Sequence, residues 1–543
     1  MVKSMLFKRS SLTISREEAW WAPMRNRVFA MLWLAWMTSN ICMWMNDVAA
    51  SWMMTSLSSS PTLIALIQTA SNLPVFLLGL PSGAFADILN RKKYFIATQL
   101  WIALNAAVLC FMTFTDSLNA PLLLFLTFTN GIGLAMRWPV FAAIVPDLVV
   151  REQLPSALAL NGVAMNASRI IGPLIAGALI ASAGTEYVFA LNMVLSLGCT
   201  VLIWRWKYTS NVSPLPGERF LGAIRVGIQY VKSSARMKAV LLRVFIFFVQ
   251  SSALMALLPV IAKDHFNGDA RTFTILLSCL GFGAIIAASQ LPRIRHSFDR
   301  NQLVPLSQIL QALTSIGVVL APSLWIASIM MMLSGGFWIL TANSLSISAQ
   351  LALPSWIRAR GMSIFQMSLM GGSAIGAAIF GTLTSYSSVT FSVICGSVFG
   401  IIAVLLTKHL KIEGGLEEDM TPVCPVEHPI PDRDIDLQAG PVMISVEYKI
   451  TEMFLPAFKE VMQRSRDARL RQGAMSWSMF EDAEKAGMMV ENFVFETWAD
   501  YLRRFDRFTT NDLNLQEERF KYHEGTEPPK IIRRVATSFS ENN

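Results

Sequence analysis

The sequence predicts an all-α membrane protein of twelve transmembrane helices in two six-helix halves, followed by a small α+β soluble domain. Three observations predict it: how apolar and charged residues are distributed, where Lys and Arg fall, and an internal repeat. Of the 543 residues, 53% are hydrophobic and only 15% charged, against about 25% charged in a soluble domain. Residues 1–411 carry 29 Lys and Arg against 12 Asp and Glu, whereas residues 412–543 carry 16 against 25. A lipid-embedded body therefore gives way near residue 411 to an aqueous part. The excess of basic residues lies between hydrophobic stretches, as membrane topology requires, which argues against nucleic acid as a partner.

A spanning helix needs about 20 mostly apolar residues. Twelve stretches qualify: 28–56, 62–86, 94–115, 120–145, 156–182, 187–206, 239–262, 272–292, 302–320, 323–347, 361–384 and 388–408. The first follows a charged leader (1–27) and runs on as a full span, so it does not read as a cleavable signal. It is longer than one crossing requires, which predicts tilt or an extension outside the membrane. Basic residues cluster on one side: the leader, Arg91 to Lys93, Arg151, the central loop from Arg205 to Arg243, Arg293 to Arg300, Arg358, Arg360, Lys408 and Lys411. The other side has Lys263 and Arg271. Positive charge is retained inside, so both termini are expected in the cytoplasm.

The halves are residues 28–206 and 239–411. Gly172-Pro-Leu-Ile-Ala-Gly177 in the fifth span aligns with Gly376-Ala-Ala-Ile-Phe-Gly381 in the eleventh at an offset of 204, which also sets Arg91 on Arg295. Parallel six-helix repeats are the architecture of many secondary transporters. In the connecting loop (207–238), Leu221, Ile224, Ile228 and Val231 recur at helical spacing opposite Arg225, Gln229, Lys232 and Arg236. This predicts an amphipathic helix, on the inner leaflet or serving as a tether between the halves.

Residues 412–440 read as an acidic, Pro-rich linker. The domain at 441–527 reads as βαββα. A strand alternates through Val442, Ile444, Val446, Tyr448 and Ile450, and a helix is spaced by Leu455, Phe458 and Met462. Two strands follow at 474–480 and 489–498, then a helix at 502–508. Residues 528–543 read as a disordered tail. Five of the six cysteines lie within spans and behave as small hydrophobes. Cys424 and His428 in the linker are a weak metal hint, and no metal site, cofactor or catalytic constellation is predicted. No Gly-rich phosphate loop is present, so transport energy is expected from an ion or substrate gradient.

Three ionisable residues lie within spans: Asp47, Arg137 and Arg169. A charge at the bilayer centre costs about 2.5–3.5 kcal/mol on insertion scales, so it faces a cavity or a partner. If both arginines face the central cavity, it is electropositive and suited to an anionic or catecholate substrate. Asp47 is the candidate proton-coupling acid. The competing reading is a structural ion pair or snorkelling to the headgroups. Trp33, Trp36, Trp44 and Trp52 read as lipid-facing or core residues.

The loop Gly83-Ala-Phe-Ala-Asp87-Ile-Leu-Asn90-Arg91-Lys92 resembles the signature of the major facilitator superfamily. The resemblance implies a conformational gate of Gly83, Asp87, Arg91 and Lys92. Asn90 replaces the usual second Gly and tolerates a positive φ. The second copy keeps Arg295 but has Leu291 where the acid would match. Asn166-Ala-Ser-Arg169-Ile-Ile-Gly172-Pro173-Leu-Ile-Ala-Gly177 resembles the Gly-Pro motif of the antiporter branch, with Ser168 in place of Gly. Its small residues allow close helix packing, and Pro173 bends the helix. Residues 25–410 resemble the drug and siderophore exporters related to the enterobactin exporter, with Asn166 alongside Asp47, Arg137 and Arg169 on the expected substrate and proton pathway. That resemblance implies proton-coupled export of a small molecule across a bacterial inner membrane. The subgroup includes members with a C-terminal soluble domain, and the βαββα order here resembles the dimeric ferredoxin-like domains of the antibiotic-biosynthesis monooxygenase type, which would allow a homodimer. An importer of the same fold remains open at this point, as does a membrane anchor for a C-terminal enzyme or sensor.

Overall fold

The computed structural model describes residues 21–150, 153–206, 220–354, 356–412, 434–524 and 527–537. The spans are twelve helices: α1 (Arg27–Leu57), α2 (Pro61–Ile88), α3 (Arg91–Phe114), α4 (Ala120–Leu148), α5 (Leu154–Ser182), α6 (Thr185–Arg205), α8 (Ala235–Val260), α9 (Ala270–Ser297), α10 (Arg300–Val319), α11 (Leu324–Leu351), α12 (Arg358–Tyr386) and α13 (Val389–Leu406). The intervening α7 (Phe220–Ser233) links the halves. Polar side chains satisfy the first free N–H groups of several helices: Asn26 on α1, Asn119 on α4, Ser234 on α8, Asp269 on α9 and Ser388 on α13. At 31 residues α1 is roughly 46 Å long, beyond a bilayer core of about 30 Å, as its sequence predicts.

The halves meet chiefly along α2 with α12 and α5 with α9, and α2 also touches α8. Glycine sets both distances in a repeated pattern. Gly172 lies on α1 against the backbone at Ile41 and Met45 and the Trp44 Cβ, and its repeat partner Gly376 on the α8 backbone at Val249. Those contacts stay within a half. Gly177 abuts Thr274 of α9, and its partner Gly381 abuts Ala65 of α2, so the second glycine of each copy closes across the halves.

The apolar core is not uniform along the membrane normal. Where α1 ends, one cluster joins both halves, from Met45, Met54, Ile64, Ala176 and Phe189 to Leu254, Leu257, Phe273, Met331 and Phe380. Toward the other face it splits in two. Phe29, Trp36, Phe95, Phe141 and Leu160 pack within the first half, and Met237, Phe247, Leu345, Leu353 and Phe365 within the second.

The soluble domain comprises β1 (Val442–Lys449), α14 (Leu455–Arg471), β2 (Ser476–Glu481), β3 (Met488–Phe495), α15 (Trp498–Asp506), α16 (Thr510–Phe520) and β4 (Lys530–Val535). Its antiparallel sheet has the order β2-β3-β1-β4, a ferredoxin-like arrangement. Val442, Ile444, Val446 and Tyr448 pack inward with Phe458, Phe493 and Phe495. Two expectations are corrected. Residues 530–535 are not tail: they form β4 and pair with β1 from Val442↔Val535 to Glu447↔Lys530. The last helical stretch is two helices, divided where Thr509 caps α16 in a reciprocal box with Asp512.

The helix α7 also differs from its predicted faces. Among its described residues Val226, Gly227 and Tyr230 are buried, with the Tyr230 hydroxyl donating to Ala352 O (2.8 Å), while Ile228 is exposed. Its polar side carries the soluble domain. Arg225 pairs with Glu496 at 2.7 Å and Gln229 Nε2 donates to Ala474 O at 2.7 Å. Beside it, the Arg507 guanidinium lies 4.6 Å from the ring centre of Trp356, in the connection before α12.

Candidate functional site at the seam between the halves

Arg169 stands at the seam. Because Gly172 lets α5 press on α1, Arg169 one turn earlier is brought beside Trp44, its guanidinium carbon 5.1 Å from the ring centre. Across the seam, 4.2 Å away, is the ring of Trp338 on α11. Phe247 and Phe248 of α8 pack around that indole, with ring centres at 6.3 and 5.7 Å. The Arg169 Nε is buried without a hydrogen-bond partner, and no described residue accepts from the guanidinium. Ser168, buried beside it, donates to Ala164 O (2.7 Å) and Met37 O (3.1 Å), so the residue in the usual glycine position also ties α5 to α1.

Arg137 is elsewhere. It is fully buried inside the first half, donating from Nη1 to Ser39 O (3.1 Å) and from Nη2 to Asn40 Oδ1 (3.2 Å), with Trp36 5.3 Å from its guanidinium carbon. The expectation that both arginines line a central cavity is thereby corrected: Arg137 ties α4 to α1. Asp47 accepts from Ser71 Oγ of α2 at 2.9 Å and is partly exposed. Asn166 turns back to its own helix, donating to Gly162 O at 2.9 Å.

At the other seam, α2 presents a polar row to α12. Gln68 and Asn72 both donate to Ser373 Oγ (2.8 and 3.1 Å), and Thr69 donates to Ala374 O (2.8 Å). Nearer the end of α1, Thr62 donates to Gly381 O (3.2 Å) and meets Ser385 Oγ (2.6 Å), while Lys263 Nζ donates to Thr55 O (2.6 Å). The repeat offset carries Arg169 onto Ser373, so one related pair of positions supplies a cation to one seam and a hydroxyl to the other. Within the second half Gln250 bonds both Gln308 and Gln311, the shortest contact being 2.7 Å from Gln250 Nε2 to Gln311 Oε1. Arg243 is buried inside α8 rather than in the central loop. It donates to Thr407 O and Leu410 O, each at 2.9 Å, capping α13.

Of the gate motif, Gly83 faces Ser363 of α12, and Arg91 and Lys92 open α3. Asn90 has a negative φ, −60°, and serves as N-cap to Lys93 N (3.1 Å), so its role is a cap and not a positive-φ turn. The side chains of Asp87 and Arg295, together with Arg151, Cys424 and His428, lie outside the described residues. In the soluble domain Arg469 of α14 is buried rather than solvated. Glu491, fully buried, accepts from Arg469 Nε (3.1 Å), Tyr448 Oη (3.1 Å) and Trp477 Nε1 (3.0 Å). Burial alone would raise the Glu491 carboxyl, but Arg469 and Arg519 outweigh it and hold it down at about 2. This is a closed structural cluster. Among the described residues no group of acidic, His or Cys side chains is placed to hold a metal ion.

Trp338 and the row Gln68, Thr69 and Asn72 are the residues that sequence reasoning missed. Gln68 and Asn72 carried a signal, since two amides four residues apart in an apolar span share a face and need a partner. Trp338 carried none, because the Ser, Thr, Asn and Gln residues of α11 are spread round the helix and mark no single face.

Two repeated six-helix halves, joined along two glycine-adapted seams with polar side chains between them, define a membrane transporter of the major facilitator fold. Residues 18–541 match the family described as "Transmembrane secretion effector", and the chain belongs to that family. It is 23% identical over 384 residues to the staphyloferrin A transporter of Staphylococcus aureus, covering 69% of this chain and 94% of that one. It is 23% identical over 389 residues to the enterobactin exporter EntS of Shigella boydii, covering 70% and 92%. Macrolide efflux protein A of Streptococcus pyogenes shares 23% over 260 residues, 48% of this chain and 64% of that one. Among solved structures, an inward-facing bacterial homologue of the lysosomal transporter Spinster superposes with a TM-score of 0.57 at 15% identity, over 72% of this chain and 97% of that one. The chain is thus a multi-pass transporter of the bacterial inner membrane that handles a small molecule, and not an enzyme.

Proposed function

We propose that this transporter exports an amphipathic small molecule of the siderophore or drug kind by alternating access, driven by protons, with both termini in the cytoplasm. The observation that carries this reading is the apolar core, single at the face where α1 ends and divided between the halves at the opposite face. A divided core parts more readily than a shared one, so the present arrangement is read as closed outside and poised to open inside. The concentration of Lys and Arg on the inner loops gives the same orientation. The names of its relatives, two concerned with siderophores and one with macrolide efflux, supply the substrate class.

Asp47 is assigned the proton. Its one bonded partner is a hydroxyl, and no described cation pairs with it, so its charge is not fixed by a permanent counter-ion. The test is uptake into inside-out vesicles under an imposed pH gradient. The reading expects accumulation that follows the gradient and is abolished by Asp47→Asn. Accumulation indifferent to the gradient removes proton coupling, and an unimpaired Asp47→Asn variant removes that residue's role.

A further inference from the structure

Arg169 is the one intramembrane arginine whose guanidinium no described residue engages by a hydrogen bond. Arg137 donates to two oxygens and Arg243 to two carbonyls, whereas Arg169 meets only indole rings. Cation–π contact stabilises the charge over ring faces but does nothing for the N–H edges, and a guanidinium carries five donors in its own plane. The Nε is buried and unmet, which is costly, whereas the terminal nitrogens of this partly exposed residue stay accessible. Asn166 donates to Gly162 O, Ser168 donates to Ala164 O and Met37 O, and Asp47 accepts from Ser71 Oγ; none of them bonds Arg169. What would complete the site is an acceptor not supplied by the chain.

We propose that Arg169, Trp44 and Trp338 form the anchor for an anionic oxygen group of the substrate carried on a flat aromatic ring. The proposal rests on the transporter reading above and narrows its substrate class. A two-oxygen anion matches the guanidinium edge by paired charge-assisted hydrogen bonds. The indoles of Trp44 and Trp338, with Phe247 and Phe248 behind the latter, offer apolar and aromatic surface to the ring. Trp44 belongs to the first half and Trp338 to the second, so a ligand held by all three residues binds with different strength as the halves rock. That difference is what lets occupancy shift the conformational equilibrium.

The test is equilibrium dialysis on the purified full chain in lipid nanodiscs, with 2-naphthoate and its neutral isostere 2-naphthamide as probes. The expected result is a preference for the naphthoate of at least about tenfold, the scale of a charge-assisted pair over a neutral one. Arg169→Gln loses the preference, Arg169→Lys keeps part of it, and Trp338→Leu weakens both probes alike. Thermal unfolding of each variant separates loss of the site from loss of the fold. Equal binding of the two probes by the unaltered chain overturns the proposal. So does a folded Arg169→Gln variant that keeps the preference, since Arg169 is then only packing between the halves. Binding at equilibrium needs neither direction nor gradient, so failure of the vesicle experiment and failure of this one are told apart.

Discussion

Replacing Gly381 by alanine should open the outer face of the transporter. A Cβ at this position meets the Ala65 methyl, which is fixed to the α2 backbone and cannot rotate away, with the Thr62 Cα at 3.6 Å. The two helices belong to opposite halves, so the clash exists only while that face is closed. An extra methylene in a packed site costs about 1–3 kcal/mol, roughly a 5- to 150-fold shift toward the open state. The repeat provides its own control. Gly376→Ala meets Val249 O at 2.5 Å within the second half, a contact kept in every state, so it should lower thermal stability without moving the equilibrium. The reporter is Ser373→Cys, only 5% exposed and covered by Gln68 and Asn72, in a chain whose native cysteines are alanine. Its reaction with a membrane-impermeant maleimide added outside should accelerate with Gly381→Ala and not with Gly376→Ala. An unchanged rate for the first, or equal acceleration by both, refutes the assignment of one glycine to the seam and the other to the half.

Further expectations concern separate parts of the chain. Arg137→Met leaves Ser39 O and Asn40 without their donor and should markedly lower the melting temperature in detergent, whereas Arg169→Gln should leave it nearly unchanged; the reverse order contradicts their assigned environments. Glu491 is held at about 2 against an ordinary 4.5, so its contribution, about 3 kcal/mol, is fully present above pH 4.5 and lost as pH falls through 2. Hydrogen exchange of β3 amides should rise across that window, and Glu491→Gln should destabilise the domain and abolish the pH step. The partly exposed Arg225–Glu496 pair is worth at most about 1 kcal/mol. Arg225→Glu should loosen the soluble domain measurably in limited proteolysis, and the added Glu496→Arg should restore protection.

Helix existence was legible because hydrocarbon imposes a simple rule on length and composition: all twelve spans lie where apolar runs predicted them. Rotation about each axis was not legible. A helix that is apolar all round carries no directional signal, which is why Arg137 was expected in a cavity and is found between α4 and α1. Arg169 could be placed better because Gly172, one turn later, marks the face that presses on α1. In the soluble domain Val442 to Ile450 announced β1 by alternation, but Lys530–Val535 does not alternate: Ile531 and Ile532 are adjacent, as are Arg533 and Arg534. Its strand character comes from the open edge of β1, a tertiary cause that local sequence does not record.

That late strand carries a consequence for biosynthesis. The sheet places β4, the last of its strands to be made, directly against β1, the first, so the two are joined only after the intervening helices and strands have been translated. All twelve membrane helices precede them in the chain. The aqueous domain therefore cannot finish folding, or take its seat on α7, before the whole lipid-embedded body has been synthesised.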